Sequence, residues 1–489
     1  MKNPPSSRFW IALLLALLVA QAVILSINLN RRWTGHHDWN SAVWAQAARN
    51  NLRAGLTTTW GASASLYYGP LPIPPEGYYV HHPPALPLAV TAMFALCGER
   101  EWAARLVPIV CSLVSTVLLW LVVRRWAGAR PATLSALVWL SLPMELYYGR
   151  MINHEPCALM WMLAAVWALQ HWELSGHPRW AAGMYVCLFL GLCTAWSVYI
   201  FSLILAGYFL ARRKHFATVA VVATVAVAAL LFLLQIRAVR PNAWQDFFQA
   251  TTRQPEQISS GHRYVEKLGA LLVRVPPAAW ALALIGSICA ARQTGLRGLN
   301  LAAGGLFLTA AVFIAGVRHK VPHDYWGFYF IAPVAMMGGV GLDTLLRRRM
   351  PGWIVAAVLA AWLASDAVKQ TAALQNFQYH ILDWTAPEPK NLIPELGERI
   401  STTFAPDASV LCNFLPYPQP QLEYYARRVL VPAQRDDDWR AWINRPDRPI
   451  GGVIWLEAPG ADELISKLPQ GSREIVEFGP VRFLFWKKE

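Results

Sequence analysis

Four short segments of this chain combine side chains that could carry out chemistry. These are residues 35–41, 78–84, 145–156 and 318–325. Three of them combine carboxylates or cations with histidine or tyrosine, and 78–84 carries two tyrosines and two histidines. Such side chains transfer protons and bind anions. The same composition is typical of helix caps, interfacial aromatic residues and solvated turns, so no segment taken singly indicates one reaction.

Two carboxylates in these segments are candidate catalytic residues. Asp38 precedes a predicted helix that continues through Arg53 and ends at Gly55. It is placed either to cap that helix, a contact that stabilises by about 1 kcal/mol, or to act as a general base. Glu155 begins an apolar stretch, where the helix dipole also favours an acid. Position alone leaves both interpretations open.

The composition indicates that these segments lie beside a membrane. The chain has 489 residues and a net charge of +14, with 55% hydrophobic and only 15% charged residues. Soluble domains contain roughly 25% charged residues. Several uncharged runs also approach the ~20 residues that a helix needs to cross a bilayer. A polytopic membrane protein is therefore predicted, which excludes a soluble enzyme and a nucleic-acid-binding protein.

We predict about eleven membrane spans. The uncharged run 180–211 is too long for one crossing of a ~30 Å hydrocarbon core, so we divide it at 191–194. The predicted spans are 9–29, 103–123, 131–148, 155–172, 180–193, 195–211, 216–236, 275–291, 299–317, 325–345 and 352–369.

The distribution of basic residues predicts the orientation. The short segments on one side carry 14 Lys and Arg in 39 residues, whereas those on the other side carry 14 in about 124. Because cytoplasmic loops are enriched in Lys and Arg, the N-terminus is predicted to be cytoplasmic. The four polar segments and the C-terminal region then lie on the outer face of a bacterial cytoplasmic membrane.

Two domains are predicted in a mainly α-helical fold. Residues 1–370 form the transmembrane helical bundle, whose first outer loop is 30–102. Within that loop, 85–97 is too short to cross and follows Pro83 and Pro84, which predicts a juxtamembrane helix at the outer face. Residues 371–489 contain more charge, and they predict a small external α/β domain. Its predicted strands are 408–411, 428–431, 452–455 and 481–486, and its predicted helices include 393–402 and 461–467.

Taken together, the segments form an ordered set of motifs. Asp38 lies in the first outer loop, and three motifs follow it at 82–88 (His-Pro-Pro-Ala-Leu-Pro-Leu), 98–106 (Gly-Glu-Arg-Glu-Trp-Ala-Ala-Arg-Leu) and 124–128 (Arg-Arg-Trp-Ala-Gly). This order resembles the GT-C membrane glycosyltransferases, particularly the branch of protein O-mannosyltransferases and lipid A aminoarabinose transferases. The resemblance covers residues 1 to about 350 and is strongest from 36 to 155.

The resemblance implies a GT-C type bundle that transfers a sugar from a polyprenyl-phosphate donor to a lipid, glycan or protein acceptor. It also implies that the first-loop acid, Asp38, is the base. Two departures concern the substrate. The family often has Asp in the second outer loop where this chain has Asn153, His154 and Glu155, and a His pair often does not precede its Pro-Pro motif.

The reaction suits the available side chains. A sugar phosphate already has a good leaving group, so one carboxylate that removes the acceptor proton is sufficient if cations stabilise the departing phosphate. The candidates for binding the phosphate are His319, Lys320, Arg263 and Arg150. The residues predicted to line the same cavity are His37, His81, His82, His154, His323, Asp324 and Tyr325.

Three questions stay open from the sequence. The histidines and acids of the outer face offer ligands for a divalent metal ion, which some GT-C relatives use, but no spacing fixes a site. A transporter or flippase of lipid-linked sugars is an alternative, and it predicts essential charges within the spans. A surface-glycan ligase is a further alternative, for which the longest outer loop is expected later in the chain.

Overall fold

The computed structural model describes residues 7–243, 269, 274–316, 323–348, 350–382, 388–415, 419–432, 450–456 and 471–488. The chain divides into two compact units. Unit 1 takes in the described parts of 1–29, 80–89 and 105–375, and unit 2 takes in those of 30–79, 90–104 and 376–489. The domain boundary predicted at residue 370 stays a prediction.

Helices make up most of the described chain. In chain order they are α1 (Ser7–Ser26), α2 (Asp38–Ala54), α3 (Leu56–Thr59), α4 (Ala85–Cys97), α5 (Glu101–Ala127), α6 (Ala129–Leu140), α7 (His154–Ser175), α8 (Pro178–Leu192), α9 (Trp196–Ala211), α10 (His215–Val239), α11 (Pro277–Arg292), α12 (Arg297–Gly316), α13 (Phe328–Arg347), α14 (Met350–Asn376), α15 (Leu392–Thr403) and α16 (Pro420–Ala426).

Each predicted span overlaps one of these helices, namely α1 and α5 to α14, but α6 ends at Leu140, eight residues before the predicted end of the span 131–148. Among the described residues, six helical segments are long and apolar enough to cross a membrane, so the chain is an integral membrane protein. Helices such as α9 and α11 have only 16 residues, and the number of eleven crossings stays a prediction. The predicted break is confirmed, because α8 ends at Leu192 and α9 begins at Trp196.

Helix α13 is the most buried of the long helices in unit 1, and it packs against α6, α11 and α12. Glycines allow this close packing. A Cβ atom at Gly286 of α11 would lie 1.9 Å from the carbonyl oxygen of Met337, and one at Gly341 would lie 2.1 Å from that of Leu282. Small residues bring helix backbones together in the same way in other membrane proteins. The close packing holds α11 against the second half of α13.

Unit 2 contains a five-stranded sheet. Its strands are β1 (Ser409–Cys412), β2 (Val429–Pro432), β3 (Ile450–Leu456), β4 (Gly471–Phe478) and β5 (Val481–Lys488), and they lie in the order β2-β1-β3-β5-β4. Strand β1 pairs in parallel with β2 and β3, whereas β5 pairs antiparallel with β3 and β4. Helix α16 connects β1 to β2, which is the crossover that parallel neighbours require. A sheet with flanking helices near the C-terminus agrees with the predicted α/β character. The helix predicted at 461–467 lies outside the described residues.

Buried side chains join the first outer loop to the C-terminal part within unit 2. Arg49 donates to the carboxylate of Glu99 at 2.9 Å and to the backbone carbonyl of Tyr424 at 2.8 Å. The hydroxyl of Tyr425 accepts from the backbone N–H of Trp33 at 2.8 Å and donates to Glu101 at 2.7 Å. These two tyrosines therefore pack inside unit 2.

Candidate active site

Asp38 lies in the first turn of α2 and is 7% exposed. Its Oδ2 accepts a hydrogen bond of 2.7 Å from the backbone N–H of Gly35. The residue before it, His37, occupies the capping position in a left-handed conformation with φ of 57° and has no side-chain capping bond. Asp38 is therefore the first residue of the helix and His37 is its capping residue, while the carboxylate of Asp38 bonds to the turn before the helix.

A second polar cluster lies in unit 1, around Asp324. Its Oδ2 accepts from the hydroxyl of Tyr148 at 2.6 Å and from Nε of Arg274 at 2.8 Å. Asp324 directly precedes α13, while Arg274 stands three residues before the first turn of α11. Because α11 and α13 pack against each other, the residues that precede them, Arg274 and Asp324, come into contact.

A π-helical turn positions Tyr148 for this contact. The turn comprises Met144–Tyr148 and is followed by Gly149. A Cβ atom at Gly149 would lie 2.5 Å from the carbonyl oxygen of Glu145, so only glycine fits there without a shift of the backbone. Single π-helical turns of this kind are frequent at functional sites. The local sequence therefore orients Tyr148 toward Asp324.

The charges in this cluster determine what it can bind. The side chains of Arg274 and Asp324 are 18% and 16% exposed, so their ion pair is largely shielded from water. Arg274 uses Nε for this pair, and a guanidinium carries five N–H donors in total. A guanidinium held in this way is suited to an additional anion such as a phosphate.

His82 and His154 form a stacked pair in the same unit. Their ring centroids are 4.6 Å apart with an interplanar angle of 13°. Nδ1 of His154 donates to the carbonyl oxygen of Thr194 at 2.7 Å, and the backbone N–H of Ala85 donates to that of Cys193 at 3.0 Å. Burial, followed by the charge of His81, lowers the pKa of His82 to about 4, so its ring is neutral at pH 7. The carbonyl groups of Cys193 and Thr194, which lie between α8 and α9, thus bond to the start of α4 and to His154.

Glu155 follows His154 in the sequence and is buried in the first turn of α7. It is 5% exposed, and its Oε2 has no hydrogen-bond partner within the described part of the chain. It lies close enough to Tyr329 of α13 for their charges to interact. A buried carboxyl oxygen without a partner is costly and typical of a binding site, so Glu155 keeps its place among the candidates.

Two buried arginines bind carbonyl groups after the end of α1. Arg105 donates to the carbonyl of Leu29 at 2.7 Å, and Arg150 donates to that of Ile27. The guanidinium of Arg150 also lies over the ring of Tyr147, 5.7 Å from its centre. Cations at a helix C-terminus stabilise its exposed carbonyls. Arg105, part of the motif at 98–106, therefore supports the fold of unit 1.

The remaining predicted residues of the site have the following positions. The ring of His323 stacks on the ring of Tyr325, with 4.9 Å between their centroids. The carbonyl oxygen of His81 accepts a hydrogen bond of 2.7 Å from Nε1 of Trp196. In unit 2, the rings of His37 and His36 are 4.1 Å apart. Arg263, His319 and Lys320 lie outside the described residues.

The sequence interpretation missed the role of Arg274 and Tyr148. Arg274 stands before Val275 and two prolines that begin α11, so a cation next to a Pro-Pro helix start was an available signal. Tyr148 lay in a recognised polar segment, but its direction depends on the π-helical turn. No sequence period reveals that turn.

Comparisons with known proteins found one matching family model and several similar solved structures. Residues 81–236 match the sequence model of the dolichyl-phosphate-mannose-protein mannosyltransferase family, a range that includes His82, Tyr148, His154 and Glu155. No curated protein matches the chain significantly.

Solved structures match nearly the whole chain. ArnT from Cupriavidus metallidurans in the apo state has 15% identity and a TM-score of 0.65, and the match covers 99% of this chain and 98% of ArnT. ArnT bound to undecaprenyl phosphate has 15% identity and a TM-score of 0.67, with 98% of each chain covered. The apo oligosaccharyltransferase of Archaeoglobus fulgidus has 13% identity and a TM-score of 0.59, with 90% of this chain and 69% of that chain covered. At such identities the likeness is one of fold.

Proposed function

Because this chain has the fold of the GT-C membrane glycosyltransferases, we propose that it transfers a sugar from a polyprenyl-phosphate donor to an acceptor outside the cytoplasmic membrane. The observation that carries this proposal is the match over 98% of both chains to ArnT bound to undecaprenyl phosphate. The mannosyltransferase family model over residues 81–236 supports the same class of donor.

The proposed reaction needs one base and a cationic site. The acceptor hydroxyl gives its proton to Asp38, and its oxygen forms a bond to the anomeric carbon of the sugar. The bond between that carbon and the phosphate oxygen breaks, and the electron pair leaves with the polyprenyl phosphate. Arg274 joins Arg150, Arg263, His319 and Lys320 as a cation proposed to stabilise the leaving phosphate, since oriented positive charge lowers the barrier of such a step.

The substitution Asp38→Asn tests the base. We expect transfer from a polyprenyl-phosphate sugar to an acceptor extract to fall by about 10²- to 10⁴-fold, the usual contribution of a general base. The matched control is Glu395→Gln, which removes an exposed acid from the first turn of α15 in the same unit. Full activity of Asp38→Asn in a protein that folds and inserts normally would remove the base assignment.

A further inference from the structure

Two neighbouring cavities lie at one end of the helices of unit 1. The first has a volume of about 490 Å³ and is lined by polar and charged residues that include Asp343, Arg347 and Arg348. The second has a volume of about 340 Å³ and is lined mainly by apolar residues of α7, α9 and α12. Trp126 at the end of α5 lines both cavities and separates them.

These cavities lie far from the polar cluster around Asp324. Asp324 precedes the first turn of α13, and Asp343 lies in its last turn. At ~1.5 Å per helical residue the two acids are roughly 28 Å apart, close to the ~30 Å thickness of the hydrocarbon core. The cavities therefore lie at the opposite membrane face, which the distribution of Lys and Arg predicts to be cytoplasmic.

The first cavity carries an excess of positive charge. Nε of Arg130 lies 2.8 Å from Oδ1 of Asp343, and Nε of Arg347 lies 2.7 Å from its Oδ2. The carboxylate of Asp343, 8% exposed, is thus paired with two arginines, and the exposed Arg348 lines the same cavity. Arg347 uses its Nε donor for its pair with Asp343, and its guanidinium carries four further N–H donors on the two Nη groups. Guanidinium groups bind phosphate oxygens in a bidentate manner.

The second cavity has the shape and surroundings expected for a hydrocarbon chain. Trp126 is fixed at its rim, because a Cβ atom at Gly298 would lie 2.4 Å from the indole Nε1. Farther along α12, Gly304 and Gly305 line the cavity, and a Cβ atom at either position would meet no other atom within 4 Å, so space is open there. Leu169 and Leu308 complete an apolar wall. Such a surface inside the membrane favours an alkyl chain.

We propose that the two cavities together bind one anionic phospholipid, with its phosphodiester at Arg347 and Arg348 and one acyl chain along Gly304. Charge complementarity selects an anionic over a zwitterionic headgroup, as in other basic pockets between membrane helices. The apolar cavity selects a lipid over a soluble phosphate. This lipid contacts α5, α12 and α13 at the face opposite Asp324, and its binding does not depend on the proposed transferase reaction.

Native mass spectrometry of the full-length protein tests this proposal. The protein is equilibrated in mixed micelles with equal amounts of phosphatidylglycerol and phosphatidylcholine, and bound lipid is counted. We expect the wild type to retain phosphatidylglycerol preferentially. The double substitution R347Q/R348Q is expected to weaken this binding about thirtyfold, since each basic residue near an anionic headgroup contributes about 1 kcal/mol, which is about fivefold in affinity.

Three matched variants separate the two parts of the site. R8Q/R179Q removes the same charge from exposed positions that line neither cavity, and we expect unchanged binding. G304L fills the apolar cavity without altering any arginine and is expected to reduce retention of phosphatidylglycerol at least tenfold. R348Q alone keeps both ion pairs of Asp343 and gives a result if the double variant does not fold.

Several results would overturn the proposal. They are equal retention of the two lipids by the wild type, equal losses in R347Q/R348Q and R8Q/R179Q, and unchanged binding in G304L or R348Q. Displacement of the bound phospholipid by tail-free glycerol phosphate would assign the site to a soluble phosphate. Displacement by polyprenyl phosphate would assign it to the donor.

Discussion

The ion pair of Arg274 and Asp324 supports a quantitative stability prediction. The two charges approach to 2.8 Å, and the side chains are 18% and 16% exposed. At an effective dielectric constant of ~20, unit charges about 4 Å apart attract by about 4 kcal/mol. Removing one partner of a largely buried pair costs about 3–5 kcal/mol, because the other charge stays buried without compensation. With partial solvent screening, we expect Asp324→Asn to lower the free energy of unfolding by about 2–4 kcal/mol.

A double-mutant cycle isolates this interaction. Asp324→Asn, Arg274→Gln and their combination are compared by unfolding of the purified protein in mixed micelles with increasing sodium dodecyl sulfate. We expect the double variant to be no less stable than the worse single variant, which corresponds to a coupling energy of roughly 1.5–3 kcal/mol. High salt is expected to change this value little, since buried pairs are poorly screened. Additive effects of the two substitutions would refute the assignment of a shielded ion pair.

Three further predictions concern other parts of the chain. Burial raises the pKa of Glu423 in unit 2 from 4.5 to about 8, so between these pH values the folded protein holds a proton that the unfolded chain has lost. The free energy of unfolding of the wild type, measured by thermal unfolding, should therefore fall as the pH rises from 4.5 to about 8, and that of Glu423→Gln should fall less. Gly286→Ala should destabilise the protein by about 1–3 kcal/mol, because the added methyl group would meet the carbonyl oxygen of Met337. Gly304→Ala is the control, since the space around a Cβ atom at Gly304 is open, and equal melting temperatures of the two variants would contradict the close helix contact. Tyr148→Phe should lower the free energy of unfolding by about 1.5–3 kcal/mol, because it removes the 2.6 Å hydrogen bond to Asp324. The same titration with sodium dodecyl sulfate measures this loss, and an unchanged midpoint would contradict the prediction.

The helices were largely predictable because their signals are local. The predicted helix 85–97 has the observed bounds Ala85–Cys97, since two prolines precede it and Gly98 follows it. The break between α8 and α9 followed from comparing the length of an uncharged run with the thickness of a membrane. Strand β4 escaped prediction because it is the edge strand of the sheet, and exposed residues such as Arg473 and Glu474 hide the pattern of a buried strand.

The contacts of the candidate site were not predictable in the same way. Asp324 was recognised as a candidate, but its partners Tyr148 and Arg274 are 176 and 50 residues away. Helix packing through Gly286 and Gly341 brings such distant residues together, and spacing along a single sequence carries no information on it. The same limit explains why the carbonyl contacts of Arg150 became visible only in the fold.

The central claim is that the chain makes a glycosidic bond with sugar from a polyprenyl-phosphate donor. Its most direct test is an assay of the purified protein in liposomes with a radiolabelled undecaprenyl-phosphate sugar and an acceptor extract. We expect label in the acceptor and an equal amount of sugar-free undecaprenyl phosphate, both only when protein and acceptor are present. Movement of the intact labelled donor across the bilayer without release of undecaprenyl phosphate would contradict the claim and favour a transporter.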